Sequence, residues 1–233
     1  MSLYTWGVAV GSLLAVTLSG HLDGRSHERA SAGPVEIRCQ QANVVVRGAN
    51  AEDALLACAG AHDAAAFLAG QGFAVTAEVS IDIEHTLPPV ADASAAGCYL
   101  PNENRVVVLA YADLARRDAW FGMTMEPALY RSFVAHEVAH AFAAANFEIA
   151  QPAIQAHEYI AYVTMLATMA PDLRARLLAR YPGEGFDDDV QINATVYLFD
   201  PQRFGVRAYR HFLRRASGRD YLRAVVSGSA LVE

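Results

Sequence analysis

The chain has 233 residues, of which 54% are hydrophobic and 18% charged, and its formal net charge is −7. That apolar content is too high for a disordered chain, and the acidic balance argues against nucleic acid as a partner. All 18 basic residues are arginine, which excludes chemistry that needs a lysine amine.

Leu3 to Leu18 form an apolar run followed by Ser19-Gly20 and a polar stretch. The run suits the hydrophobic region of a signal peptide and is slightly short for a membrane span. Residues 1–24 therefore read as an export signal or an N-terminal membrane anchor, with a buried helix as a third alternative, and 25–34 as a linker. In the first two cases the rest of the chain works outside the cytoplasm, either exported (periplasmic or secreted) or tethered to the membrane.

Val35 to Arg47 is rich in β-branched residues and reads as strand structure, ended by Gly48-Ala49-Asn50. Asn50 can cap a helix that carries Glu52 and Asp53 in its first turn and Gly70 and Gly72 near its end. Phe73 to Glu84 alternates apolar and polar residues as a half-buried strand does, and Leu87-Pro88-Pro89 breaks it. Arg105 to Tyr111, after the turn-forming Pro101-Asn102-Glu103-Asn104, is another strand, lying either inside a sheet or at an edge open to an extended peptide. In an oxidising compartment Cys39 and Cys58 would pair, tying the first strand to the following helix and leaving Cys98 free; otherwise all three are small buried hydrophobes.

From Glu126 onward the signals are helical: one helix near Pro127–Asn146, a second near Pro152–Met169, a third near Pro171–Tyr181, and one or two more after Asn193. The arginines from Arg203 to Arg223 recur every three to four residues and read as a solvated helix face, and Asp187-Asp188-Asp189 as a solvated loop. The order predicts an α+β fold, residues 35–233 forming one domain with a strand-rich part (35–118) and a helical part (119–233).

The chemistry lies in His136-Glu137-Val138-Ala139-His140, an HExxH motif inside a helix-forming stretch with no glycine or proline. Residues four apart lie one above the other on a helix, so both imidazoles can bind a single metal ion. Glu137 reaches the same side and is placed to take a proton from a water at that ion. A third ligand should come from the next helix, where His157 and Glu158 are adjacent.

HEVAH followed by a helix bearing Glu158-Tyr159-Ile160-Ala161-Tyr162 resembles the gluzincin metallopeptidases, over about Glu126 to Leu166. The resemblance implies a zincin-like fold, Zn²⁺ as cofactor, His136, His140 and Glu158 as its ligands, Glu137 as general base, and a peptide or protein substrate. The glycine and third histidine of a metzincin are missing. Thermolysin-like enzymes carry an acid four positions after the ligand glutamate, where this chain has Tyr162, so a different carboxylate or a backbone carbonyl should orient the first histidine. The amine-recognising G-x-M-E-N segment of aminopeptidase N-type enzymes has no counterpart, since Gly122-Met123-Thr124-Met125-Glu126 lacks the Asn and sits too close to His136. A further donor for the developing oxyanion is expected from Tyr197, Tyr209 or His211, with Tyr209 and His211 ahead. The expectation is a zinc-dependent hydrolase, most simply a peptidase; the alternative is a non-catalytic zinc-binding module of the same fold, and hydrolysis of a non-peptide amide reads the same way.

Overall fold

The computed structural model describes residues 35–231 apart from 41, 49, 90, 92–94 and 118–119. The expected signal or anchor (1–24) and linker (25–34) lie outside the described residues. The fold is α+β: a small mixed sheet leads into a mainly helical remainder. No described helix is long and apolar enough to cross a membrane.

The expected first strand is a hairpin of β1 (Val35–Cys39) and β2 (Val44–Gly48). Asn50 caps α1 (Ala51–Gly70) by accepting from the Asp53 amide. The sheet continues with β3 (Val79–Glu84), β4 (Gly97–Leu100) and β5 (Arg105–Leu109), in the order β1-β2-β3-β5-β4. β2, β3 and β5 run parallel, and β1 and β4 close the two ends antiparallel. The strand at 105–109 is therefore interior, and the two edges are β1 and β4. Sequence reading missed β4 because four residues, two of them Gly and Cys, show no alternation. The expected strand at 73–84 begins only at Val79. Before it, the Asn146 amide donates to the Ala74 carbonyl and accepts from the Ala74 amide, so that segment has no need of a neighbouring strand.

One face of the sheet (Val44, Val46, Val79, Ile81, Ile83, Val106, Val108) belongs to the core formed with α1 and with α3 (Pro127–Ala144). The other carries Arg47, Asp82 and Arg105, joined by ion pairs. A short helix, α2 (Tyr111–Leu114), follows β5. Beyond α3 come α4 (Ile154–Thr168) and α5 (Pro171–Arg180), close to their expected bounds. Three helices follow rather than one or two: α6 (Ala194–Phe199), α7 (Pro201–Arg214) and α8 (Gly218–Val226). Asn193, Asp200 and Ser217 each cap one of them, and Pro201 starts a new helix one residue after α6 ends.

Candidate metal centre

α3 is buried along nearly its whole length, packed between α1, α4 and the β4–β5 end of the sheet. Pro127 at its first turn fixes the start, and from there the helical spacing brings His136 and His140 to one place. Their Nε2 atoms lie 3.3 Å apart. α4 packs against α3 and brings in Glu158, whose two oxygens lie 3.6 Å from His136 Nε2 and from His140 Nε2. His136, His140 and Glu158 are the one such group among the described residues that could hold a metal ion.

The distances test the fit. Tetrahedral ligands about 2.0–2.1 Å from zinc are spaced about 3.3–3.4 Å from one another, close to what these three groups show. Glu158 is buried, and its Oε2 has no hydrogen-bond partner. A buried carboxylate oxygen without a donor is costly, and a cation between it and the imidazoles removes the cost. Without such a cation, burial pushes the Glu158 carboxyl up to about 8 and His136 down to about 3, with His140 also well below its ordinary value. The residues present fit a divalent ion, and the two-imidazole, one-carboxylate donor set suits zinc.

Glu137 lines the same cavity. Burial first, and the nearby Glu158 second, raise its carboxyl to about 8. Its position depends on β4: a Cβ built on Gly97 would lie 2.8 Å from Glu137 Cδ and 2.9 Å from Phe133 Cζ. Only glycine lets the strand lie that close to the side chain. Cys98, next along β4, is buried beside it with its thiol pushed up to about 11, mainly by desolvation.

Among the described residues, the expected acid or carbonyl behind His136 is not found. His136 Nδ1 has no hydrogen-bond partner, and the Tyr162 ring stands 4.5 Å from the imidazole in an edge-on arrangement. Room for that ring comes from Gly205 on α7, where a Cβ would lie 2.4 Å from Tyr162 Cδ1. Packing, rather than a polar partner, holds the imidazole.

Of the three expected oxyanion donors, only Tyr197 lines the cavity, and it is hydrogen-bonded to Glu158. Tyr209 is buried on α7 beside the Arg174 guanidinium. His211 faces another cluster: its Nδ1 lies 2.8 Å from the Tyr159 hydroxyl, and its Nε2 lies against Arg215 near Asp189. Neither lines the cavity. His157 does, with its ring 6.2 Å from that of His140; it is not part of the ligand group. In the sequence, only its adjacency to Glu158 marks it. Cys39 and Cys58 form a disulfide, and Cys98 is free.

Residues 44–233 match the model of a family described as a family of unknown function (DUF6639). No curated protein and no solved structure matches the chain.

Proposed function

The chain belongs to this DUF6639 family of unknown function, and from its site we propose that it is a zinc-dependent hydrolase of peptide bonds with a zincin-like fold. The observation that carries this reading is the trio of ligand atoms 3.3–3.6 Å apart at the wall of a cavity, with Glu137 beside them.

His136, His140 and Glu158 would hold the ion, which leaves one coordination position for water or substrate. When bound, zinc supplies Lewis-acid polarisation of a carbonyl and lowers the pKa of a coordinated water towards ~7. Glu137 accepts the proton of the attacking water at its carboxylate and returns it to the leaving amine. Its burial keeps competing water away and raises its basicity, while a nearby cation would bring its carboxyl back down from about 8. Tyr197 steadies the Glu158 carboxylate through its hydroxyl. β4, antiparallel to β5 and at the sheet edge, offers main-chain groups to an extended substrate. A structural zinc site has no use for Glu137, which favours catalysis over the binding-module alternative. The Cys39–Cys58 disulfide supports a place of action outside the reducing cytoplasm.

Metal analysis of the purified protein should find close to one zinc per chain. Glu137→Gln should leave that zinc in place and abolish cleavage of a mixed peptide library. Zinc absent from the wild type would end the proposal; zinc present with no peptide cleaved would favour the non-catalytic alternative.

A further inference from the structure

α4 opens at Ile154, so His157 and Glu158 follow one another in its first two turns. Consecutive side chains on a helix diverge by about 100°. A residue beside a ligand therefore does not repeat its direction but borders the ion from the next angle round. His157 does so from the cavity: it is half-buried and lines the same space as His136, Glu137, His140 and Glu158. Its ring packs 4.5 Å from that of Phe147, tilted by 52°, which holds the imidazole against the wall.

The His157 ring stands 6.2 Å from that of His140. At that separation the two rings are too far apart to hydrogen-bond each other directly. A carbonyl oxygen held about 2.0–2.2 Å from zinc and accepting from a donor about 2.7–3.1 Å away needs that donor within about 5 Å of the ion. An imidazole at this distance from a ligand histidine has that reach. Tyr197 is also at the cavity wall, but its hydroxyl is hydrogen-bonded to Glu158. A neutral imidazole carries one N–H to donate, and the Phe147 ring beside His157 leaves less room for competing water.

We propose that His157 touches the substrate: its ring N–H donates to the carbonyl oxygen of the bond that is cut and holds the charge that gathers there. The C–O bond forms from water, the C–N bond breaks, and the proton travels by Glu137 to the leaving amine. No bond is made or broken at His157, and its own proton stays on the ring. The proposal rests on the hydrolase reading above.

The test compares zinc-loaded wild type, His157→Phe and His157→Gln on a blocked peptide that the wild type cuts. Phe keeps the packing against Phe147 and has no donor, whereas Gln restores an N–H. His157→Phe should lower kcat roughly 10²- to 10³-fold, with KM within about 3-fold of wild type and zinc still near one per chain by metal analysis. His157→Gln should recover at least about 10-fold of that loss. Calorimetry supplies a readout without turnover. A phosphonate analogue of the same peptide, whose tetrahedral oxygens imitate the attacked carbonyl, should bind at least about 10-fold more weakly to the Phe variant, while the cleaved products bind within about 3-fold of wild type. Cleavage by His157→Phe at the wild-type rate, a change in KM alone, or loss of zinc together with activity would overturn the proposal and leave the hydrolase reading standing. If His157→Phe does not fold, His157→Ala takes its place and His157→Gln remains the rescue. A wild type that cuts no peptide ends the hydrolase reading and this proposal with it.

Discussion

Gly97 and Glu137 meet at van der Waals distance, and a single methyl group added to Gly97 would occupy the space of the carboxylate carbon. Gly97→Ala should therefore displace Glu137 without touching a ligand. The overpacking costs about 1–3 kcal/mol of stability, and under the proposed hydrolase function, misplacing the base by a fraction of an ångström should lower kcat roughly 10- to 100-fold. Bound zinc, measured by metal analysis, should stay near the wild-type level. Loss of zinc and activity together would mean that the glycine serves the fold instead of the base. At this scale the sequence was most informative where the relation is local. His136 and His140 are one helical turn apart, so their convergence follows from helix geometry alone, and Glu158 follows because a short connection returns α4 against α3. Tyr197 could not be ranked above Tyr209 and His211 in the same way. Its place depends on the chain turning between α6 and α7 at Asp200-Pro201, and no periodicity records which of two neighbouring short helices faces a cavity.

Helices were legible through their punctuation: Asn50 before α1, Pro127 at the start of α3 and Pro171 at the start of α5 all stand where the structure begins a helix. Strands were less so. β4 is too short to display a period, and the hairpin at 35–48 reads as a single run because its turn contains no glycine or proline. The C-terminal arginines turned out to do more than face water. Arg210 donates to the carbonyls of Leu178 and Tyr181, Arg214 to that of Phe186, and Arg215 pairs with Asp189, so α7 and the residue after it fasten the 181–191 segment. Asp189 accordingly belongs to that clasp and not to a solvated loop. β1 and α1 are fastened covalently by Cys39–Cys58. The Cys39→Ala/Cys58→Ala variant should lose about 2–4 kcal/mol, a fall in Tm of roughly 5–15 °C for a chain of this size. Differential scanning calorimetry measures it directly, and an unchanged Tm would show that the bridge adds nothing the core does not already supply.

For the whole molecule, the buried site couples stability to pH in two opposing ways. The folded values of Glu137 and Glu158 are raised to about 8, so their contribution is fully present below about 4.5 and is lost as pH rises towards 8. The histidines run the other way: His136 falls to about 3, His157 and His211 to about 4, and His140 well below its ordinary value, so their contribution is lost as pH falls below about 6.5. Between about 6.5 and 8 only the carboxylates titrate, and metal-free protein should lose stability across that window. Zinc binding requires the carboxylate ionised and the imidazoles neutral, so zinc affinity should grow over the same range. Thermal melts with and without a chelator should show the zinc-dependent rise in Tm widening from pH 6.5 to pH 8. A constant gap would mean that the two carboxyl groups titrate near their ordinary values.

An unpaired sheet margin normally invites other sheets to add to it. Here β4 has four residues, and Gly97, Cys98 and Tyr99 line the cavity beneath α3. A strand of a folded neighbour brings its own sheet with it, whereas a single extended strand does not. Of the sheet's two margins, β1 and β4, the second borders the candidate metal site, so a single strand added there would lie alongside it.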